Sequence, residues 1–381
     1  MPSAIEQIVG ALRLEIVRGR WAPGTQLPPR VELAADLGTC KATLQKAMSL
    51  LVAEGFIEIG ARKTGTLVAS HPPHLSRYRL IFPFGPDDWG QFWHALEAAA
   101  RELTTERREF APFYGLSGHR SIEEFQTVVN EAHTRSVAGL IFASSADELQ
   151  GTPLFDQPGI PRVAIAVEGQ LPGIPKVFVD LEDFMMQSVK HLVARGRRRL
   201  ALLSADGAAL FERALAAHGL SARSVWEQFA GKYNPQAARH VVELLMHPGQ
   251  SERPDGLIVA DDNLLTAAGE GLLAVGVRVP EDVSVVALTN FPNLVPCAVP
   301  VTRIGFDIPA LLDLLVERLE QVSRGETPPE CTLVPAVFAP DTANKANDSM
   351  TMTGFVKTTM GLGSVLAASA VQAAVARSVA L

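Results

Sequence analysis

Between Leu27 and Gly55 the apolar positions of the chain fall into two short helical periods separated by one glycine. In the first, Leu33, Ala34 and Leu37 share a face of a helix expected over 31–37. Gly38 follows, the residue type best able to take the left-handed backbone of a sharp turn. In the second, which starts at Thr39 or Cys40, Leu44, Ala47, Met48 and Leu51 stand at i, i+3, i+4 and i+7 and define one buried stripe. That spacing turns Lys41, Thr43, Gln45 and Lys46 outward. A polar, basic face of this length fits the roughly 12 Å major groove of DNA, where Lys and Gln reach base edges and phosphates. An ordinary surface hairpin of two helices has the same pattern, and the helical periods alone leave both readings open.

The flanking sequence separates them. Ahead of the pair, Ile5, Ile8, Val9, Leu12 and Ile16 repeat at helical spacing until Gly19 and Pro23-Gly24 stop them. After it, two β-prone runs, 56–59 and 66–68, surround a turn that carries Arg62, Lys63 and Gly65. Helix, helix, recognition helix and wing complete a winged helix-turn-helix. The stretches GRWAPGTQLPPR, LAADLG, the T-L-Q-K-A run from Thr43, and EGFIE followed by GTLV resemble the GntR-type winged helix over residues 4–69. The resemblance implies binding of double-stranded operator DNA, with Thr39, Lys41, Thr43, Gln45 and Lys46 at the groove and Arg30, Arg62 and Lys63 near phosphates. Two departures bear on base reading. Pro29-Arg30-Val31 stands where the family has Ser-Glu-Arg, and Thr39-Cys40-Lys41 replaces Val-Ser-Arg, which exchanges a bidentate guanidinium for a point charge.

From Tyr78 onward short apolar runs alternate with amphipathic periods. Strands are expected at YRLIFPF, FAPFYG, VAGLIFASS, PRVAIAV, KVFVD, RLALLSA, GLIVA and VSVVAL, with helices over 89–107, 122–136, 184–195, 208–218, 235–246 and 264–275. This alternation predicts α/β architecture with parallel sheets covered on both faces, and so many strands predict two sheets. Ligands in such folds bind beyond the carboxyl ends of the strands. Four passages, of which GVRVPEDVSVV is the most specific, resemble the LacI-type effector domain, itself similar to periplasmic sugar-binding proteins, over residues 78–340. The expected organisation is therefore a winged helix-turn-helix at 1–70, a linker at 71–79 made stiff by its paired prolines, a two-lobed periplasmic-binding-protein-like domain at 80–340, and a disordered tail with an apolar Ala-rich end at 341–381.

Carried onto this chain residue by residue, the family's ligand pocket is thinned. Asp180 keeps the acidic position after a core strand, but Leu181 stands where an Asn is frequent. The sugar-gripping arginine would fall at Gly207, and Asp261 sits where an Asn often meets the ligand. Ala287-Leu288-Thr289-Asn290 replaces a Gly-Phe-Asp-Asp run. The candidate ligand contacts are Asp87, Trp89, Phe92, Asp180, Asp261 and Asn290. Each aspartate serves equally as a helix cap, and the aromatic residues, Trp93 included, serve equally as core packing.

Charge limits where nucleic acid could bind. The first seventy residues carry eight Lys/Arg against six Asp/Glu, a net of +2 in a chain of net −7, so the remainder carries −9 and only the head suits a phosphate backbone. Cys40, Cys297 and Cys331 are odd in number and far apart, which fits a reducing cytoplasm and predicts neither disulfide nor zinc. The basic run 195–199 reads as the solvated end of a helix, and no nucleophile elbow, phosphate loop or metal-ligand spacing of histidines is present. No export signal opens the chain, and no membrane partner or cofactor is expected. The reading is a cytoplasmic, homodimeric transcriptional regulator of the repressor kind, not an enzyme, whose operator affinity answers to a sugar or related small molecule. Two further readings stay open: a ligand-free DNA-binding dimer with a vestigial pocket, and a small-molecule-binding module whose head serves protein contacts.

Overall fold

The computed structural model describes residues 3–60, 65–115, 122–144, 151–156, 158–165, 171, 173–231 and 234–339. The head opens with α1 (Ala4–Val17), nucleated by a reciprocal cap in which Ser3 Oγ accepts from the Glu6 amide and Glu6 accepts from the Ser3 amide. Next come α2 (Arg30–Asp36) and α3 (Lys41–Ala53), then the antiparallel wing strands β1 (Ile57–Ile59) and β2 (Thr66–Val68). Gly38 takes φ +58° between α2 and α3, the left-handed conformation that the sharp turn requires. Val9, Leu12, Ile16, Leu33, Leu44, Ala47, Met48, Leu51 and Phe56 close one small core.

The expected linker is shorter than its sequence suggested. A one-turn helix, α4 (Pro73–Ser76), runs directly into strand β3 (Arg77–Ile81), so the residues 77–79 belong to the body. Alternation decides this: Tyr78 and Leu80 are buried, while Arg77 and Arg79 reach sideways to Glu109 and Glu131.

Among the described residues the body holds two sheets of six strands. In the first lobe, β4 (Glu109–Phe113), β3, β5 (Gly139–Phe142), β6 (Arg162–Ile165), β7 (Lys176–Val179) and β13 (Cys331–Val334) lie side by side in that order and all parallel. In the second, the order is β9 (Glu227–Phe229), β8 (Leu200–Ser204), β10 (Gly256–Val259), β11 (Ser284–Phe291), β12 (Thr302–Asp307) and β14 (Val337–Phe338), with only β14 antiparallel. Each sheet reverses its winding direction beside its first strand, between β3 and β5 and between β8 and β10, and such switch points open crevices at the strands' carboxyl ends. Helices α5 (Gln91–Leu103), α6 (Ile122–His133) and α7 (Pro153–Asp156) serve the first lobe, while α8 (Leu181–Ala194), α9 (Ala209–Ala217), α10 (Pro235–Met246) and α11 (Leu265–Ala274) serve the second.

The lobes are joined three times. The chain crosses from β7 into α8, returns from β12 into α12 (Ile308–Ser323), which packs on α5, β5 and β6, and crosses again between β13 and β14. At the first crossing the Asp180 amide donates to Val334 O at 2.9 Å, and Asp183 Oδ2 accepts from the Ala336 amide at 2.9 Å. Leu80, Ile141 and Val163 of one lobe share a continuous core with Leu202, Ile258 and Val286 of the other.

Candidate functional site

On the head, Leu44, Ala47, Met48 and Leu51 are buried, which leaves Lys41, Gln45 and Lys46 exposed on the opposite face of α3. Arg30, the first residue of α2, donates from Nη1 to Gln45 Oε1 at 2.6 Å and so ties the two helices together on that face. Thr39 and Thr43 are half-buried. The Thr43 hydroxyl lies 3.2 Å from the thiol of Cys40, the residue preceding α3, so it turns back along the helix start instead of fully outward. That contact is the first cause holding the Cys40 thiol below its ordinary pKa. Arg62 and Lys63 lie outside the described residues.

The first lobe brings aromatic rings to the carboxyl end of β3. Trp89 stands before α5, not within it: a 3-10 turn, Pro86–Asp88, and Gly90 separate it from a helix that starts at Gln91. Its indole N–H donates to Phe84 O at 3.0 Å, and its ring lies 4.3 Å from Phe82 and 5.6 Å from Tyr114. At 8% exposure Trp89 stacks within the protein, one of the two roles its sequence allowed. Trp93 donates to Ala143 O, and Phe92 is half-buried against the same core. Burial, then the bond to Glu97, pushes the Tyr114 phenol up to about 12. Asp87 is exposed at the rim of this cluster.

Across the crevice, the loops after β10 and β11 present a run of carboxyl and amide groups. Asp261 Oδ1 accepts from both the backbone and the side-chain amide of Asn263, at 2.9 and 2.6 Å. Asp180 Oδ1 accepts from the Asp183 amide at 2.9 Å and caps α8, which explains why that helix begins three residues before its apolar pattern does. Both carboxylates are thus occupied as caps, one of the two roles their sequence allowed. Asn290, 2% exposed, donates to Asp262 Oδ2 at 2.7 Å. Burial is the main force that pushes the Asp262 carboxyl up to about 7, against the lowering effect of that bond.

Four residues escaped the sequence reading. Gln91, at the start of α5, donates its backbone N–H to Asn263 Oδ1 at 2.9 Å and accepts from Asn293 Nδ2 at 3.3 Å, so two amides of the second lobe hold the first lobe directly. Neutral amides carry no periodic signal, and only the fold brings these three positions together. The fourth, Arg303, is 2% exposed on β12, donates from Nη2 to Val295 O at 2.6 Å, and has no partner for Nε and Nη1 among the described residues. A lone cation inside the apolar run VTRIGF was the available signal. Among the described residues no group of three or more His, Cys, Asp or Glu side chains is arranged to hold a metal ion. No described helix is long and apolar enough to cross a membrane.

Comparison with known proteins matches the head and a stretch from α8 to β14 separately. Residues 4–68 match the family model for bacterial regulatory proteins of the gntR family, and residues 189–339 match that of a periplasmic binding protein-like domain. Among curated proteins, the lactose operon repressor of Escherichia coli (strain K12) is 27% identical over 221 residues, 54% of this chain and 58% of that protein. The transcriptional repressor PurR of Aliivibrio fischeri (strain MJ11) is 26% identical over 196 residues, 48% of this chain and 57% of that protein. The chain thus spans under two thirds of the length of these relatives. Among solved structures, a LacI family transcriptional regulator from Lactobacillus casei with bound sucrose superposes with a TM-score of 0.52 at 17% identity, covering 70% of this chain and 98% of that one. The transcriptional regulator CelR in complex with cellobiose gives a TM-score of 0.52 at 18% identity, covering 82% and 99%. The chain thus joins a gntR-family winged helix-turn-helix domain to a periplasmic-binding-protein-like domain, and repressors of the LacI and PurR kind are among its relatives.

Proposed function

We propose that this protein is a cytoplasmic transcriptional repressor that binds a two-fold DNA operator as a homodimer and loses or gains operator affinity when a small molecule fills the crevice between its lobes. One observation carries the reading. A winged helix with an exposed Lys41, Gln45 and Lys46 face is built on the same chain as two lobes whose strand ends meet over a three-stranded crossing. Change at that crossing has a short path to the head, because α4 runs without a break into β3 of the first lobe. On the head side, the His74 ring stacks on Phe56 with centroids 5.7 Å apart. A ligand that favours one lobe arrangement would shift the spacing of two heads bound to half-sites about 10 base pairs or a multiple apart.

In this reading Lys41, Gln45 and Lys46 meet the groove, with Thr39, Thr43 and the Gln45-bonded Arg30 beside them, and Arg62 and Lys63 lie near the backbone. The ligand candidates are Asn290 and Asp261 at the second lobe's strand ends, with Asp87 and Phe92 across from them; Trp89 and Asp180 act from behind as packing and cap. Similarity to a lactose operon repressor, and to folds solved with sucrose or cellobiose, makes sugars the first compounds to try.

The test is the thermal stability of the full chain against a panel of sugars and related metabolites. A ligand present at one hundred times its Kd stabilises the folded state by about 2.7 kcal/mol. A compound that raises the melting temperature, and changes the capture of genomic DNA fragments, supports the proposal. Salt-dependent capture of DNA with no response to any compound would leave the body as a dimerisation scaffold. Absence of salt-dependent capture would remove the regulator reading altogether.

A further inference from the structure

We propose that Arg30 and Gln45 form a single base-reading unit dominated by hydrogen-bond donors, and that it selects guanine at one position of each operator half-site. The inference rests on the regulator reading and goes beyond it, because it fixes the chemistry of one read base. Gln45 lies on the exposed face of α3, one turn beyond Lys41. Arg30 lies at the start of the other helix of the pair and is also exposed. Nothing in the burial of either side chain demands that they meet, yet Arg30 Nη1 donates to Gln45 Oε1 at 2.6 Å.

That bond decides what the glutamine can read. A free glutamine amide shows a donor and an acceptor side by side, which matches the N7 acceptor and N6 donor of adenine. With one lone pair of Oε1 held by the guanidinium, the Gln45 amide keeps two N–H donors against a single remaining lone pair. The guanidinium adds its remaining N–H groups, since arginine has no acceptor at all. The pair therefore meets a partner that shows adjacent acceptors and no donor. In the major groove that is guanine, through N7 and O6, whereas the N6 amino group of adenine would face a donor. The chain has no arginine at the first turn of α3, where Lys41 supplies a single rotatable ammonium, so a planar donor array on this face comes from Arg30 reaching across from α2. Ser49 and Thr66 line the cleft beside the pair with Met48, Val52, Ile57 and Ile59, which leaves the Arg30–Gln45 bond free of competing charges among these neighbours.

The experiment selects operators for the full-length protein from a randomised duplex library, then measures affinity with the read base altered. The wild type is expected to enrich a guanine in each half-site, to bind equally when inosine replaces it, because inosine keeps N7 and O6, and to bind about tenfold or more weakly with 7-deazaguanine or adenine there. Arg30→Ala and Gln45→Ala are expected to erase the preference at that same base, and the double variant to lose no more than either single one. Gln45→Glu, which converts the amide to an acceptor-only group, is expected to disfavour guanine there. Unchanged melting temperatures show that the variants fold, and a merely structural pair would leave base preference intact. Preferences lost at two different bases, additive losses, or equal weakening on every sequence would overturn the shared unit while leaving the regulator reading in place. If no sequence is enriched, the regulator reading fails and this unit with it.

Discussion

Asp262 and Arg303 put opposite charges inside the second lobe at 3% and 2% exposure, and their surroundings treat them differently. Burial lifts the Asp262 carboxyl to about 7, above its value in an unfolded chain, so the folded protein holds a proton there that the unfolded chain has already lost. The stability tied to that proton is fully present below about pH 4 and is lost as pH rises toward 7. Asp262→Asn keeps an acceptor for Asn290 and removes the titration. Its unfolding free energy, read by urea denaturation, should gain on the wild type by an amount that grows between pH 4 and pH 7, on the order of a few kcal/mol, and then levels off. A constant difference across that range would refute the assignment. His74 and His191 act in the opposite sense in nearly the same window: burial holds both down to about 4, aided at His191 by Arg195, so stability present above pH 6.5 is lost as pH falls toward 4. A backbone position sets a second residue-scale limit. A Cβ on Gly305 would lie 1.8 Å from the Thr289 carbonyl oxygen of the neighbouring strand, so Gly305→Ala should cost about 3 kcal/mol or more, read by urea denaturation. The sequence named Asn290 as a candidate polar contact but gave no sign of the Asp262 bond, because two residues 28 apart reveal a contact only once β10 and β11 lie side by side.

Among the elements, periodicity was the legible part. The α3 stripe, the turn glycine, the wing strands and the α10 bounds follow the residue pattern closely, because each is decided within one or two helical turns or a tight hairpin. The pattern failed where short segments depend on distant partners. Strands β9, β13 and β14 are two to four residues long and largely unburied, too short for a period to show; they are strands because β8, β7 and β12 supply ladder partners. The start of α8 was missed for a related reason: Asp180 at its cap contributes hydrogen bonding, not hydrophobicity. Asp307 repeats the arrangement at the start of α12, accepting from the Ala310 amide at 3.0 Å, so both helices that leave a lobe crossing are fixed by an aspartate cap. Replacing Ser3 by Ala at the α1 cap should cost about 1 kcal/mol in the stability of the head, read from its thermal unfolding. On α3, Lys41→Ala should weaken binding to all DNA sequences alike and lower the slope of log affinity against log salt by about one unit. A loss confined to one base would place Lys41 on a base edge instead.

At the level of the whole molecule, the head joins the body through the first lobe. Among the described residues the lobes are held by three chain crossings and by the contacts of Gln91, Asn263 and Asn293, which a ligand of the proposed kind would compete with or complete. Motif content made both domains legible, whereas the tie between lobes was not, because it is made by neutral side chains from segments some 170–200 residues apart. If Asn263 contributes to closure, Asn263→Ala should shift the ligand concentration needed for half-maximal stabilisation while leaving operator affinity without ligand within about threefold.

The central claim is that crevice and head are linked, and linkage is reciprocal: a ligand that changes operator affinity by some factor must have its own affinity changed by the same factor when operator is bound. The direct measurement is operator affinity of the full-length protein across a ligand titration at fixed salt, paired with ligand affinity in the presence and absence of operator. The account predicts that both affinities change by the same factor, between about 5-fold and 150-fold. Operator affinity that stays constant up to saturation with a ligand proven to stabilise the body would contradict it.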